Sequence, residues 1–227
     1  MKLITIIECG KTLPEVEVDF GSAPDRIIKI CNDSNIKFNC VQPYKGDRLN
    51  IHKSDALIFT GSSKSVYEEY EWISYLEERI IESVKFNMPI LGICFGHQLV
   101  AKSLGGEVVL NPNGWELGTY PICINEQGRA SSIMQGMKNN DVVYQSHQDC
   151  VMSLPEKAIE LAYNNKGNQA FQINDNVFGV QFHPEFTFNV IKRYVDVRSK
   201  LGVKVDNRKI SVSESGKNIL NNFIKLI

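Results

Sequence analysis

Pro89-Ile90-Leu91-Gly92-Ile93-Cys94-Phe95-Gly96-His97-Gln98 opens as a short apolar run and ends as the first turn of a helix. An apolar run without alternation, bounded by proline, is the pattern of a strand covered on both faces of a sheet. The helical pattern from Phe95 to Leu104 closes at Gly105-Gly106, where the missing Cβ suits a helix end. A buried strand passing straight into a helix predicts an α/β fold, with a mostly parallel central sheet flanked by helices.

The rest of the chain agrees. Leu3 to Ile7, Ile36 to Val41 and Asp55 to Phe59 read as further strands, with a loop and then a helix around Pro24 to Cys31 between the first two. From Val66 to Phe86, Trp72, Ile73, Leu76, Ile80 and Val84 recur at helical spacing among glutamates, which predicts an amphipathic helix stopped by Pro89. The second half is richer in strand signals: Glu107 to Leu110, Gly118 to Ile124, Asp141 to Tyr144, Ala158 to Tyr163, Gln169 to Ile173 and Val177 to Phe182. Helical pattern returns at Phe188 to Arg198 and at Ser213 to Ile227. No repeat, low-complexity tract or linker divides residues 1–227, which read as a single domain.

With 43% hydrophobic and 22% charged residues, the 227-residue chain has ordinary globular composition. Twenty-five Lys and Arg against 26 Asp and Glu, with no block of one sign, argue against nucleic acid or a membrane surface as partner. MKLITIIECG at the start reads as a buried strand rather than a signal sequence, because Glu8 interrupts its apolar run. The expected compartment is the cytoplasm. The six cysteines form no CxxC pair and are expected to be reduced thiols, and Asn32-Asp33-Ser34 is taken as a chance match to a glycosylation sequon.

Gly92-Ile93-Cys94-Phe95-Gly96 has the form of a nucleophile elbow, in which flanking glycines allow a crowded strand-to-helix turn that exposes the central side chain. At a helix start, free backbone N–H groups lower a thiol pKa and can also receive an oxyanion. A cysteine nucleophile needs a base, and there are four histidines: His52, His97, His147 and His183. His183 ends a predicted strand, and Glu185 follows two residues later. If Pro184 keeps the chain extended, both side chains project to one side and complete a Cys94-His183-Glu185 triad. His97, on the elbow helix, is expected to pack near the site rather than transfer protons, and His52 reads as surface. Ser146-His147-Gln148-Asp149 is a polar cluster that either lines a pocket or forms a solvated turn; the pocket is favoured. The remaining cysteines are read as small buried side chains.

GICFGHQ at Gly92 to Gln98, SHQD at Ser146 to Asp149 and QFHPE at Gln181 to Glu185, in that order, resemble the class I (triad) glutamine amidotransferases over nearly the whole chain. Within that class the chain is most similar to the glutaminase domain of GMP synthase and to stand-alone γ-glutamyl peptidases. TGSSKSVYE from Thr60, AKSLGG from Ala101 and GWELG from Gly114 are further points of similarity. The resemblance implies attack by Cys94 on the γ-carbonyl of glutamine or a γ-glutamyl compound, proton shuttling by His183 and orientation of His183 by Glu185. It also implies oxyanion N–H groups from Phe95 and from Gly61 with Ser62. Gln98 would hold the substrate's amino-acid end, and Ser146, His147, Gln148 and Asp149 would line the same pocket. No cofactor is implied, and the His and Cys spacing offers no zinc site. Gly61-Ser62-Ser63 departs from the Gly-Gly-Pro of GMP synthase, as does Gln148 from its glycine, which points to a different pocket. No SGGxDS loop of an ATP pyrophosphatase occurs in the chain. Three functions follow: a self-sufficient γ-glutamyl hydrolase, a glutaminase subunit supplying ammonia to a separate synthetase, and a binding module that retains only the fold. The intact triad argues against the last.

Overall fold

In the computed structural model of the chain, which describes residues 1–31, 33–204 and 210–227, the Asn32 sequon position lies outside the described residues. The first half comprises β1 (Lys2–Ile7), α1 (Pro14–Phe20), α2 (Ala23–Ile30), β2 (Ile36–Val41), β3 (Ala56–Phe59), α3 (Glu71–Lys85), β4 (Ile90–Ile93) and α4 (Phe95–Ser103). Then come β5 (Glu107–Leu110), β6 (Glu116–Pro121), β7 (Cys123–Ile124), α5 (Glu126–Ala130), β8 (Val142–His147) and β9 (Asp149–Ser153). The chain continues with β10 (Ala158–Asn164), β11 (Gly167–Ile173), β12 (Val177–Val180), α6 (Phe188–Lys200) and α7 (Lys217–Lys225).

The main sheet runs β2-β1-β3-β4-β12-β11-β10-β7. Its first five strands are parallel, and β11, β10 and β7 extend it in antiparallel fashion. β3, β4 and β12 are buried at every residue, as strands with helices on both faces must be. Successive side chains serve opposite faces. Ile58, Leu91 and Ile93 join one core with Ile27 of α2 and Ile219, Leu220 and Phe223 of α7. Leu57, Phe59 and Ile90 join the other with Ile73, Leu76 and Ile80 of α3 and Leu99 and Val100 of α4. The β2 edge strand has only half-buried and exposed residues. Among the described residues no helix is long and apolar enough to cross a membrane.

Several boundaries differ from the sequence reading. Residues 66–70 are not helical. Glu68 accepts the Ser65 N–H at 2.8 Å, and the turn so made buries Val66 while helix α3 waits until Glu71. α1 lies where a loop was expected, because Pro14 sits at its first turn and Gly21, with φ 77°, ends it. The strand expected over Gly118 to Ile124 is divided. β6 pairs with β8 in a separate ribbon, while β7 joins the main sheet through β10, with Pro121 and Ile122 at the crossing. β9 and α5 were not foreseen. β12 stops at Val180, short of the expected Phe182. The last helix begins at Lys217 rather than Ser213, since the Ser213 N–H is held by the Tyr144 hydroxyl at 2.8 Å.

The elbow is an exacting piece of backbone. A Cβ on Gly92 would stand 2.4 Å from Gly96 O, and one on Gly96 would stand 2.3 Å from Phe59 O in β3. Both contacts are with backbone, which cannot swing aside. Gly92→Ala should therefore lower unfolding free energy by about 3 kcal/mol, or prevent folding, as read by urea denaturation.

Candidate active site

Cys94 sits between β4 and α4 with φ 54° and ψ −103°, a conformation that L side chains rarely adopt. The turn lifts its side chain to the C-terminal edge of the parallel strands, where sites form in open α/β sheets. The next residue, Phe95, opens α4, so its N–H has no carbonyl of its own helix to bond. Thr60, just after β3, accepts the Gly96 N–H at 3.2 Å, which fixes the Thr60-Gly61-Ser62 loop against the elbow. A Cβ on Gly61 would meet His183 Cε1 at 3.1 Å and Cys94 Cβ at 3.7 Å. Gly61, Cys94 and His183 thus converge on one point.

His183 Nδ1 and Glu185 Oε1 are 2.8 Å apart, and both residues are buried. They reach each other through a turn rather than an extended segment, since the Phe186 N–H folds back to His183 O at 3.3 Å. That corrects the role expected of Pro184: the turn closing behind it returns Glu185 to the imidazole. The ring of His183 stacks on Phe186, with centroids 4.0 Å apart, and Phe186 stacks on Tyr194. Burial alone would push the imidazolium pKa down, but Glu185 and then Cys94 outweigh it and hold the value up at about 10. Burial likewise disfavours the Glu185 carboxylate, yet His183 and Arg26 keep its pKa below the usual range. His183 Nε2 is buried and faces the Cys94 thiol, which helps hold its pKa up. A nitrogen set beside a thiol and a glycine loop is suited to handing a proton to a bound molecule.

Ser146, His147 and Asp149 are buried, and with half-buried Gln148 they line a pocket that also contains Cys94, Ser62 and Gln98. The segment crosses from β8 to β9 at Gln148, whose carbonyl accepts the Asn111 N–H at 2.8 Å. Asp149 is held by Ser65 Oγ at 2.5 Å and by the Tyr67 hydroxyl at 3.0 Å. Both donors lie in the turn ahead of α3. Gln98 donates its amide hydrogens to Asp149 O and Gln181 Oε1, each at 3.0 Å. Its donors are thereby occupied within the protein.

The sequence reading missed a second buried histidine–carboxylate pair. His147 Nε2 lies 3.0 Å from Glu116 Oε2, and Asn164 and Gln169 donate to the same carboxylate. Burial would raise the Glu116 pKa, but His147 and these amides hold it below the usual range. His147 Nδ1 meets Asp149 O at 2.9 Å, so the pair braces the pocket wall. Glu116 belongs to the GWELG stretch and was within reach of the sequence. Trp115 of the same stretch also lines the space around Cys94, as do Lys11, Tyr194 and Arg198, and nothing in the local pattern of those three announced it.

The chain belongs to the class-I glutamine amidotransferases. That family matches residues 16–195. A GMP synthase [glutamine-hydrolyzing] from Finegoldia magna is 35% identical over 180 residues, covering 77% of this chain and 33% of that protein. Gamma-glutamyl peptidase 4 of Arabidopsis thaliana is 32% identical over 183 residues, covering 78% of this chain and 73% of that protein. The chain therefore spans about a third of the GMP synthase it matches. A glutamine amidotransferase from Thermotoga maritima superposes with a TM-score of 0.74 at 24% identity, over 99% of this chain and 91% of that one. A second, from Methylobacillus flagellatus, gives 0.77 at 20% identity, over 99% and 95%. These two structures bear on the fold, and they share the parallel sheet with flanking helices expected from the sequence.

Among the other thiols, burial raises the pKa values of Cys9, Cys31 and Cys150; Cys40 is exposed on the edge strand β2 and Cys123 half-buried, contrary to the buried positions expected of both, and all six cysteines are free. His97 is fully buried against Phe171, with the Gly179 backbone beside its ring. Burial drives its pKa down to about 3 from 6.5. Because the folded value is depressed, the unfolded chain binds the proton first as pH falls below 6.5, and stability drops until about pH 3. In His97→Leu, the stability lost between about pH 7.5 and about pH 5 should be smaller than in the wild type by about 2 kcal/mol, measured by urea unfolding at both pH values.

Proposed function

We propose that this chain hydrolyses the γ-amide bond of glutamine or a γ-glutamyl compound, with Cys94 as nucleophile, His183 as proton carrier and Glu185 as the group that orients it. The observation that carries the reading is the buried His183–Glu185 pair, 2.8 Å apart, standing beside the strained elbow cysteine. In the first half-reaction the Cys94 sulfur bonds to the γ-carbonyl carbon. The oxyanion is received by the Phe95 N–H and by that of Gly61 or Ser62. His183 gives its proton to the leaving nitrogen, the C–N bond breaks, and ammonia or an amine departs from a γ-glutamyl thioester. Neutral His183 then takes a proton from water as the water oxygen attacks the thioester, releasing the γ-carboxylate and the Cys94 thiolate. The Ser146–Asp149 wall and Gln98 receive the glutamyl part.

Of the two enzymatic readings, self-sufficient hydrolysis of γ-glutamyl compounds is preferred. The space around Cys94 extends on two sides, a wider one toward Gln98 and Trp115 and a narrow one toward His183, Arg26 and Lys11. The similarity to a γ-glutamyl peptidase over most of that protein's length supports the same reading. The similarity to glutamine-hydrolysing GMP synthases supports the second, a glutaminase that passes ammonia to a synthetase. The buried, intact pair at His183 weighs against a mere binding module.

Ammonia, amine and glutamate release should be measured with glutamine and a panel of γ-glutamyl amides and peptides. Cys94→Ala and His183→Ala should each lower kcat by about 10⁴-fold or more, with the fold retained. Full turnover by Cys94→Ala would sink the proposal. Slow glutamine turnover that rises when a synthetase is added would favour the subunit reading. Glu185→Gln should leave activity about 10³-fold down. Loss of the carboxylate also removes what holds the imidazolium up, so the alkaline limb of its kcat/KM profile should move to lower pH.

A further inference from the structure

Arg198, near the end of α6, is half-buried in the wall shared by both sides of the space around Cys94. Its guanidinium lies over the face of Trp115, with Cζ 4.6 Å from the ring centroid, and its Nε donates to Ser146 Oγ at 3.1 Å. The two contacts, one with an aromatic ring and one with a hydroxyl, restrain the group. Among the described residues no carboxylate pairs with it. A held guanidinium with its two Nη groups unengaged by carboxylate is a fork prepared for one.

We infer that Arg198 binds the carboxylate of an amino acid or peptide leaving group, and so selects γ-glutamyl peptides over glutamine. This rests on the proposed γ-glutamyl hydrolysis at Cys94. The leaving nitrogen must stand near His183 Nε2 to take its proton, so the group attached to that nitrogen lies on the His183 side. Lys11, Arg26 and Arg198 line that side, and its single carboxylate, Glu185, is already engaged by His183. An anionic leaving group is matched there, whereas ammonia leaves the Arg198 fork empty. The Trp115 face additionally keeps water from one side of the guanidinium, which strengthens a charge-assisted bond.

The test compares γ-glutamylglycine, γ-glutamylglycinamide and glutamine as substrates of the wild type, Arg198→Gln and Arg198→Lys. The wild type should prefer γ-glutamylglycine to its amide. Arg198→Gln should lower kcat/KM for γ-glutamylglycine by about 30-fold, and by about tenfold more than for the amide, with Arg198→Lys recovering part of the preference. Equal losses on all three substrates, pointing to the glutamyl end or to the fold, would overturn the inference, as would no loss at all. Binding of γ-glutamylglycine to Cys94→Ala and to the Cys94→Ala/Arg198→Gln double variant, by calorimetry, separates this from the hydrolytic reading. Weaker binding of γ-glutamylglycine, but not of γ-glutamylglycinamide, by the double variant upholds the Arg198 site even where the wild type turns over none of the three. Equal binding rejects it even where turnover is brisk.

Discussion

Gly96 lies so close to the end of β3 that its N–H reaches Thr60 O and no side chain fits between the two backbones. This approach determines the geometry of the site. It brings the glycine loop after β3 alongside the elbow after β4, and it holds Cys94 at positive φ, buried beside Gly61 and His183. The parallel sheet then does the rest. β12 runs beside β4 and ends at the same edge, which delivers His183 to the point already occupied by Cys94 and Gly61. A strained backbone persists only where its surroundings over-determine it, and here two buried strands and the first turn of α4 do so.

Burial sets the electrical character of the pocket. A lone histidine in such a place, such as His97, is driven neutral. His183 faces the same penalty but has Glu185 within hydrogen-bonding distance, and the balance reverses. Two imidazoles of one chain are thus set far apart in proton affinity by their nearest neighbours, not by their depth. The pairing is used again at His147 and Glu116, where amides from Asn164 and Gln169 complete the carboxylate's hydrogen bonds. There the pair braces Asp149 and, through it, Gln98 and the turn that carries Ser65 and Tyr67. The pocket wall is held by polar groups that satisfy one another, an arrangement that is rigid when complete.

The second half of the chain shows why a β-rich region accompanies a parallel sheet. β5 and β9 make one ribbon and β6 and β8 another, apart from the main sheet. They carry Glu116 and the Ser146–Asp149 segment to the mouth of the elbow, and α6 closes the other side with Tyr194 and Arg198. The Gly-Ser-Ser loop and Gln148, where the sequence departs from the GMP synthase pattern, both face this space.

The features legible from sequence alone were those with a local cause. The apolar run from Ile90, the glycines about Cys94 and the short step from His183 to Glu185 each carry their meaning within a few residues, and with the order of the motifs they indicated the fold and pointed to the triad proposed above. The strand read over Gly118 to Ile124 failed because its division between two sheets depends on partners far along the chain, Asp141 and Leu161 among them. The helix read from Val66 failed for the same reason: helical spacing of apolar residues continued into a turn that Asp149 holds in another shape. Trp115 and Glu116 stood in a noticed motif with no role attached to either, and Arg198 looks like an ordinary helix residue. Only the tertiary structure, by bringing α6 and two ribbons against one edge of the sheet, made them part of the pocket. Periodicity reports what a segment must bury, whereas the company a polar side chain keeps is decided by long-range packing.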